Sequence, residues 1–251
     1  MTTAFLIHGF SGSPAGWRRV EALLDVPSHA PAVGGHGAKA GVVSFGAEVG
    51  RLAAVIRDVA RPPRFVVGYS LGGRLALGLL VRHPDLFCGG TLIGANPGIG
   101  CETEREVRRQ ADERWARLIE DRGLATFDRE WSALPLFRSQ RGLDGTALLE
   151  QRRIRLGHDP SGLAAAMRAF SLGAMPDYRP VLPGVLCPVD LIAGSLDTKF
   201  VALARNMAGK LPDASVHVVE GAGHNVPLEA PAELARLLNA TLGNVDRDNR
   251  Y

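Results

Sequence analysis

Cysteine is scarce in this chain: Cys88, Cys101 and Cys187 are all it has, and no two share a C-x-x-C spacing. Neither a disulfide framework nor a zinc site is indicated, and the three thiols read as small buried hydrophobes. A dominant sign of charge is missing too. Lys and Arg number 29 against 26 Asp and Glu, a net charge of +3, too little to argue for a nucleic-acid partner. No stretch approaches the ~18 uninterrupted apolar residues of a membrane span. Met1-Thr2-Thr3 runs directly into an apolar segment, without the basic and apolar regions of a secretory signal, so the expectation is a cytoplasmic protein away from membranes. Internal repeats and low-complexity tracts are lacking as well. With 46% apolar and 22% charged residues, what remains is an ordinary globular composition at a length suited to one α/β domain.

The most informative stretch runs from Phe65 to Arg74. Phe65-Val66-Val67 reads as a short buried strand, and Gly68-Tyr69-Ser70-Leu71-Gly72 follows it as a G-x-S-x-G. Residues 74–82 then have the leucines of a helix. Strand, tight turn and helix in that order are the setting of a nucleophile elbow. A serine at the apex of so sharp a turn sits in a strained backbone, so its neighbours must lack bulk. The first amides of the helix point at its hydroxyl and favour negative charge there. The plainer alternative is a glycine-rich turn with a surface serine.

Around this stretch the chain alternates strand and helix. Ala4-Phe5-Leu6-Ile7 is a strand that ends at His8-Gly9-Phe10-Ser11-Gly12, and Pro14 opens a helix through Trp17, Val20, Leu23 and Leu24. Residues 27–41 are turn-rich, with His36 expected as a structural hydrogen-bonder. A helix covers residues 45–59, and a strand 89–95. From residue 102 to 175 the strand signals vanish, and helices are expected over 102–121, 125–131, 147–156 and 161–172. Strands return at 187–193 and 215–219, with helices at 201–211 and 234–242. Residues 244–251 are expected to fray. This pattern predicts an α/β fold with a mostly parallel central sheet and helices on both faces. The core would comprise 1–97 and 181–251, with 98–180 inserted as a helical cap. Long crossover helices are the alternative reading of that insertion.

Ser70, Asp197 and His224 each follow a predicted strand. An imidazole can take the proton of a serine hydroxyl, and a carboxylate can fix the imidazole's tautomer. Their chain order is that of the α/β-hydrolases. The amides of Phe10 and Leu71 are the candidate oxyanion donors. Asp197 could instead cap the next helix, and Asp190, inside a strand, competes weakly as the acid. No metal or organic cofactor is implied.

On these motifs the chain resembles the α/β-hydrolases. More narrowly it is similar to the 2-succinyl-6-hydroxy-2,4-cyclohexadiene-1-carboxylate (SHCHC) synthases of menaquinone biosynthesis. The motifs that carry this are His8 to Gly12, Gly35-His36-Gly37, Gly68 to Arg74, Gly194 to Phe200 and Gly223-His224-Asn225. Trp131, Pro135-Leu136-Phe137 and Arg155 in the cap add to them. The resemblance implies a lyase acting on an enolpyruvyl cyclohexene polycarboxylate and releasing pyruvate. It implies substrate contacts at Arg74, Arg108, Trp131 and Arg155, since arginine grips carboxylates in a bidentate fork. Arg108 lies in Arg105-Glu106-Val107-Arg108-Arg109, where a solvated helix face is the alternative. A serine hydrolase working through an acyl-enzyme would use the same elbow.

Overall fold

The computed structural model describes residues 1–37, 41 and 44–248, with only the backbone of Asp246 and Asp248. The apolar runs form strands β1 (Thr3–Ile7), β3 (Arg64–Tyr69), β4 (Gly89–Ile93), β5 (Val189–Gly194) and β6 (Ala214–Val219), and a two-residue strand, β2 (Ser28–His29), joins them at one edge. All six lie in one parallel sheet in the order β2-β1-β3-β4-β5-β6. The register sets Ile7 beside Gly68 and Tyr69 beside Ile93, so the central strands finish level at their carboxyl ends.

Both faces of the sheet are covered, as parallel strands require. Phe5, Ile7, Val66, Leu92 and Leu191 point into one core with helices α2 (Phe45–Val59), α3 (Leu71–Arg82) and α7 (Thr198–Ala208). Their neighbours Ala4, Leu6, Val67, Ile93 and Ile192 point the other way, against α1 (Arg18–Glu21) and α9 (Pro231–Asp248). This period of two is the pleat itself. Helix α2 shows how local sequence sets an element: the Ser44 hydroxyl accepts from the Ala47 amide at its start, and Phe45, Val49, Leu52 and Ile56 form its buried stripe.

Between β4 and β5 lie α4 (Glu102–Ser132), α5 (Gly145–Leu156) and α6 (Pro160–Ala169). Ala116, Ile119 and Phe127 of α4 pack against Leu163, Ala164 and Met167 of α6 in a third cluster, which Phe10 and Trp131 join. Helix α4 breaks at Gly123, whose φ is 73°, in the gap between the two helices expected there. A short helix, α8 (Val226–Glu229), precedes α9. No described helix is long and apolar enough to cross a membrane.

Several expectations need correction. The first helix stops at Glu21 and tightens into turns, the Leu23 amide donating to the Val20 carbonyl and the Leu24 amide to that of Glu21; Asn239 of α9 holds the chain there, its Nδ2 donating to the Leu23 carbonyl and its Oδ1 accepting from the Asp25 amide. β2 was not expected, since Ser28-His29 has no apolar pattern to signal a strand. The last helix runs on to Asp248, with Val245 buried at its inner face. The rest of the tail expected to fray lies outside the described residues, as do residues 38–40 of the turn-rich segment. Cys101 is exposed, and Cys88 and Cys187 are only partly buried.

Candidate active site

Every candidate residue of the core stands at the carboxyl edge of the sheet. Ser70 follows β3 at φ 54° and ψ −108°, a left-handed conformation costly for any residue but glycine. The surroundings enforce it: the Ser70 amide donates to the Ile93 carbonyl (2.8 Å), and its carbonyl accepts from the Arg74 amide (3.0 Å). A Cβ on Gly68 would strike the Gly72 carbonyl, and one on Gly72 would strike the Ile7 carbonyl. The two glycines of the motif are thus required by the closeness of strand, turn and helix.

Ser70, His224 and Asp197 form one hydrogen-bonded file. The Ser70 hydroxyl donates to His224 Nε2 at 3.0 Å, and His224 Nδ1–H donates to Asp197 Oδ2 at 2.7 Å. Asp197 sits at the start of α7 but its side chain does not cap that helix; the carboxylate is spent on the imidazole instead. His224 and Asp197 are buried, and the imidazole lies 4.5 Å from the Phe200 ring and 5.5 Å from that of Tyr69. Glu229, which no sequence signal singled out, holds the loop that carries His224 by accepting from the Gly223 (2.6 Å) and Asn225 (3.0 Å) amides. Asp190 is engaged elsewhere, with His217 and Thr241.

The loop after β1 is fixed by buried histidines. His8 Nδ1–H donates to the Gly9 carbonyl (2.9 Å), and its Nε2 accepts from the Val33 amide (3.2 Å). His36 Nε2 accepts from the Ser11 amide (3.1 Å), and its Nδ1–H donates to the Gly34 carbonyl (3.1 Å). His36 is thus the structural hydrogen-bonder expected. Burial pulls His8 down to about 4 and His36 well below the usual imidazole range. Among the described residues the Phe10 and Leu71 amides donate to no acceptor of the chain. Also among the described residues, no group of His, Cys, Asp and Glu could hold a metal ion; the ring nitrogens of His8 and His36 are taken by the backbone.

A cavity opens over Ser70 and His224, with Arg74, Arg108 and Lys199 in its wall. Arg74 has no carboxylate partner among the described residues; it donates to the Phe170 carbonyl (2.7 Å). Burial pulls its guanidinium down to about 9, Arg108 adds to the fall, and Asp112 opposes it. Arg108 pairs with Asp112 at 2.8 Å and remains 41% exposed, so it joins a helical ion pair and lines the cavity as well. Lys199 was noticed in the sequence only as part of a motif. Arg155 is placed differently. It lines a second, adjoining cavity that shares Phe10, Tyr69, Trp131 and Phe137 with the first. It is buried and paired with Asp128 at 2.6 Å. The structure therefore brings Arg74, Arg108 and Trp131 to the Ser70 cavity, and sets Arg155 in the adjoining one.

Comparison with known proteins agrees with this fold. Residues 4–237 match the model of the alpha/beta hydrolase family. The 2-succinyl-6-hydroxy-2,4-cyclohexadiene-1-carboxylate synthase of Salmonella paratyphi C (strain RKS4594) is 34% identical over 241 residues, covering 90% of this chain and 88% of that protein. The structure of MenH from S. aureus superposes with a TM-score of 0.93 at 25% identity, over 98% of this chain and 94% of that one. A thermophilic esterase from Thermogutta terrifontis, solved with malate bound, shares the fold at a TM-score of 0.86 and 23% identity, over 98% and 90% of the two chains. On the family match, and on sequence relatives that span nearly its whole length, the chain belongs to the α/β hydrolase family.

Proposed function

We propose that this enzyme is a carbon–oxygen lyase that eliminates pyruvate from an enolpyruvyl cyclohexene polycarboxylate, as an SHCHC synthase of menaquinone biosynthesis. The observation that carries the reading is Arg74: a desolvated guanidinium beside Ser70 with no carboxylate of its own. Arg108 and Lys199 surround the same cavity. Cations so placed suit a ligand that brings several carboxylates. Apart from Asp112, the described residues lining the cavity bring no carboxylate to repel one. The helices of residues 98–180 serve as the cap that closes over this anionic small molecule.

The chemistry follows from the file of Ser70, His224 and Asp197. His224 Nε2 accepts the hydroxyl proton of Ser70 while Ser70 Oγ takes a carbon-bound proton next to the substrate's carbonyl. Asp197 holds the imidazole in the tautomer this needs and steadies its charged form. The electron pair left on carbon moves onto the carbonyl oxygen, where the Phe10 and Leu71 amides donate to the forming enolate. Collapse of the enolate forms a ring double bond and breaks the carbon–oxygen bond to the enolpyruvyl group. That group leaves as enolpyruvate and gains on its methylene carbon the equivalent of the proton held by His224 to become pyruvate, which returns the file to its starting state.

The test is a pyruvate assay beside an ester assay. One pyruvate per substrate, negligible turnover of a p-nitrophenyl ester, and a loss of about 10³-fold or more in Ser70→Ala are expected. Rapid ester turnover with an acyl-enzyme burst and no pyruvate would overturn the reading in favour of a serine hydrolase.

A further inference from the structure

We propose that His158, at the junction of α5 and α6, is a positioning residue for the Phe10 amide, which it steadies from the helical block through the backbone of Ser11. The proposal rests on the reading of that amide as an oxyanion donor.

The argument begins at Ser11, which follows Phe10 and has a φ of 58°, left-handed without being glycine. Such a conformation persists only where its surroundings hold it. All three of its hydrogen-bonding groups are held. Its amide donates to His36 Nε2 (3.1 Å), its carbonyl accepts from His158 Nε2–H (3.1 Å), and its hydroxyl accepts from Arg155 Nε (3.2 Å). Two of the three partners come from the helical block. On the other side, the Gly9 carbonyl shares a peptide unit with the Phe10 amide. It accepts from His8 Nδ1–H (2.9 Å) and from the Gly12 amide (3.1 Å). The Phe10 N–H is thereby aimed by His8 from the sheet and by the Ser11 clamp from above.

His158 is built for this task. Its Nδ1 accepts from the Gly37 amide (2.9 Å), which leaves Nε2 as the protonated nitrogen, the form that donates to Ser11. The Gly37 carbonyl accepts from the next residue of the block, the Asp159 amide (2.9 Å). One buried imidazole therefore joins the loop after β1, the loop at Gly37 and the start of α6. An amide misaimed by a fraction of an ångström loses most at the transition state, where charge on the oxyanion is greatest, and little in substrate binding.

The experiment compares the full chain with His158→Ala and His158→Gln. It measures pyruvate release and, separately, the rate at which diethyl p-nitrophenyl phosphate phosphorylates Ser70, both corrected for folded protein by circular dichroism. In His158→Ala, kcat is expected to fall about 10- to 100-fold with KM within about threefold, and phosphorylation to slow in parallel. His158→Gln, whose amide can donate to the Ser11 carbonyl, is expected to recover most of both rates. The proposal fails if His158→Ala keeps kcat per folded molecule within about twofold, if KM alone changes, or if Gln is as slow as Ala. If the unaltered chain releases no pyruvate while His158→Ala still slows phosphorylation and Gln restores it, the lyase reading falls and the positioning role stands.

Discussion

A guanidinium without a carboxylate to answer it is costly to draw out of water, and Arg74, half-buried in the cavity wall, is such a group. Groups held this way sacrifice stability for a ligand. Arg74→Met is therefore expected to leave the thermal midpoint at or above that of the parent. It should also lower kcat/KM for pyruvate release by about 100-fold, the size of a lost charge-assisted contact; thermal melts beside steady-state kinetics check both halves. His8 sets a different balance. Its imidazole falls from 6.5 to about 4 on burial, so between those values the unfolded chain binds a proton that the folded chain refuses. Stability is full above the upper value and is lost as pH falls through the window, by about 3 kcal/mol over its width. His36 and His158 shift in the same direction and steepen the loss. Urea unfolding at pH 7, 5.5 and 4.5 checks this, and His8→Asn is expected to flatten the dependence by about one proton.

Among the elements, α4 is two helical runs divided by a single residue. Gly123 takes a φ of 73° with open space where a Cβ would go, so Gly123→Ala pays conformational strain and no clash. A loss of about 1 kcal/mol, or about 2–4 °C in thermal midpoint, is expected, with pyruvate release unchanged. The break was legible in the sequence, because helical spacing lapses between residues 121 and 125. Elements with a strong local code were equally legible: α2 from its apolar stripe, β3 and α3 from the run that surrounds Ser70. So was the file of Ser70, His224 and Asp197, since each stands just past an apolar strand, where a parallel sheet exposes its loops. What escaped depends on distant partners. The chain just past α1 is held by Asn239, more than two hundred residues away, and β2 by its neighbour β1. Glu229 and His158 act through backbone groups of other loops, which leave no spacing to read. Arg155 was grouped with Arg74 as a substrate contact, and its place in the adjoining cavity emerges only once α4 and α5 are packed.

At the scale of the whole molecule, nearly neutral overall charge conceals a cavity whose cations outnumber its acids. Arg108 is 41% exposed and Lys199 is exposed, so their attraction for a polyanion is open to screening. Raising salt from about 50 to 500 mM is expected to raise KM several-fold and leave kcat nearly constant; initial rates across a salt series check it. The aromatic cluster shared by the two cavities has an optical corollary. Trp131 belongs to it, and Trp115 meets Trp131 at a centroid distance of 5.1 Å, nearly perpendicular. These are two of the three tryptophans in the chain. A carboxylate arriving on either side changes the field at an indole, so the protein carries its own fluorophore at the place where a ligand would announce itself.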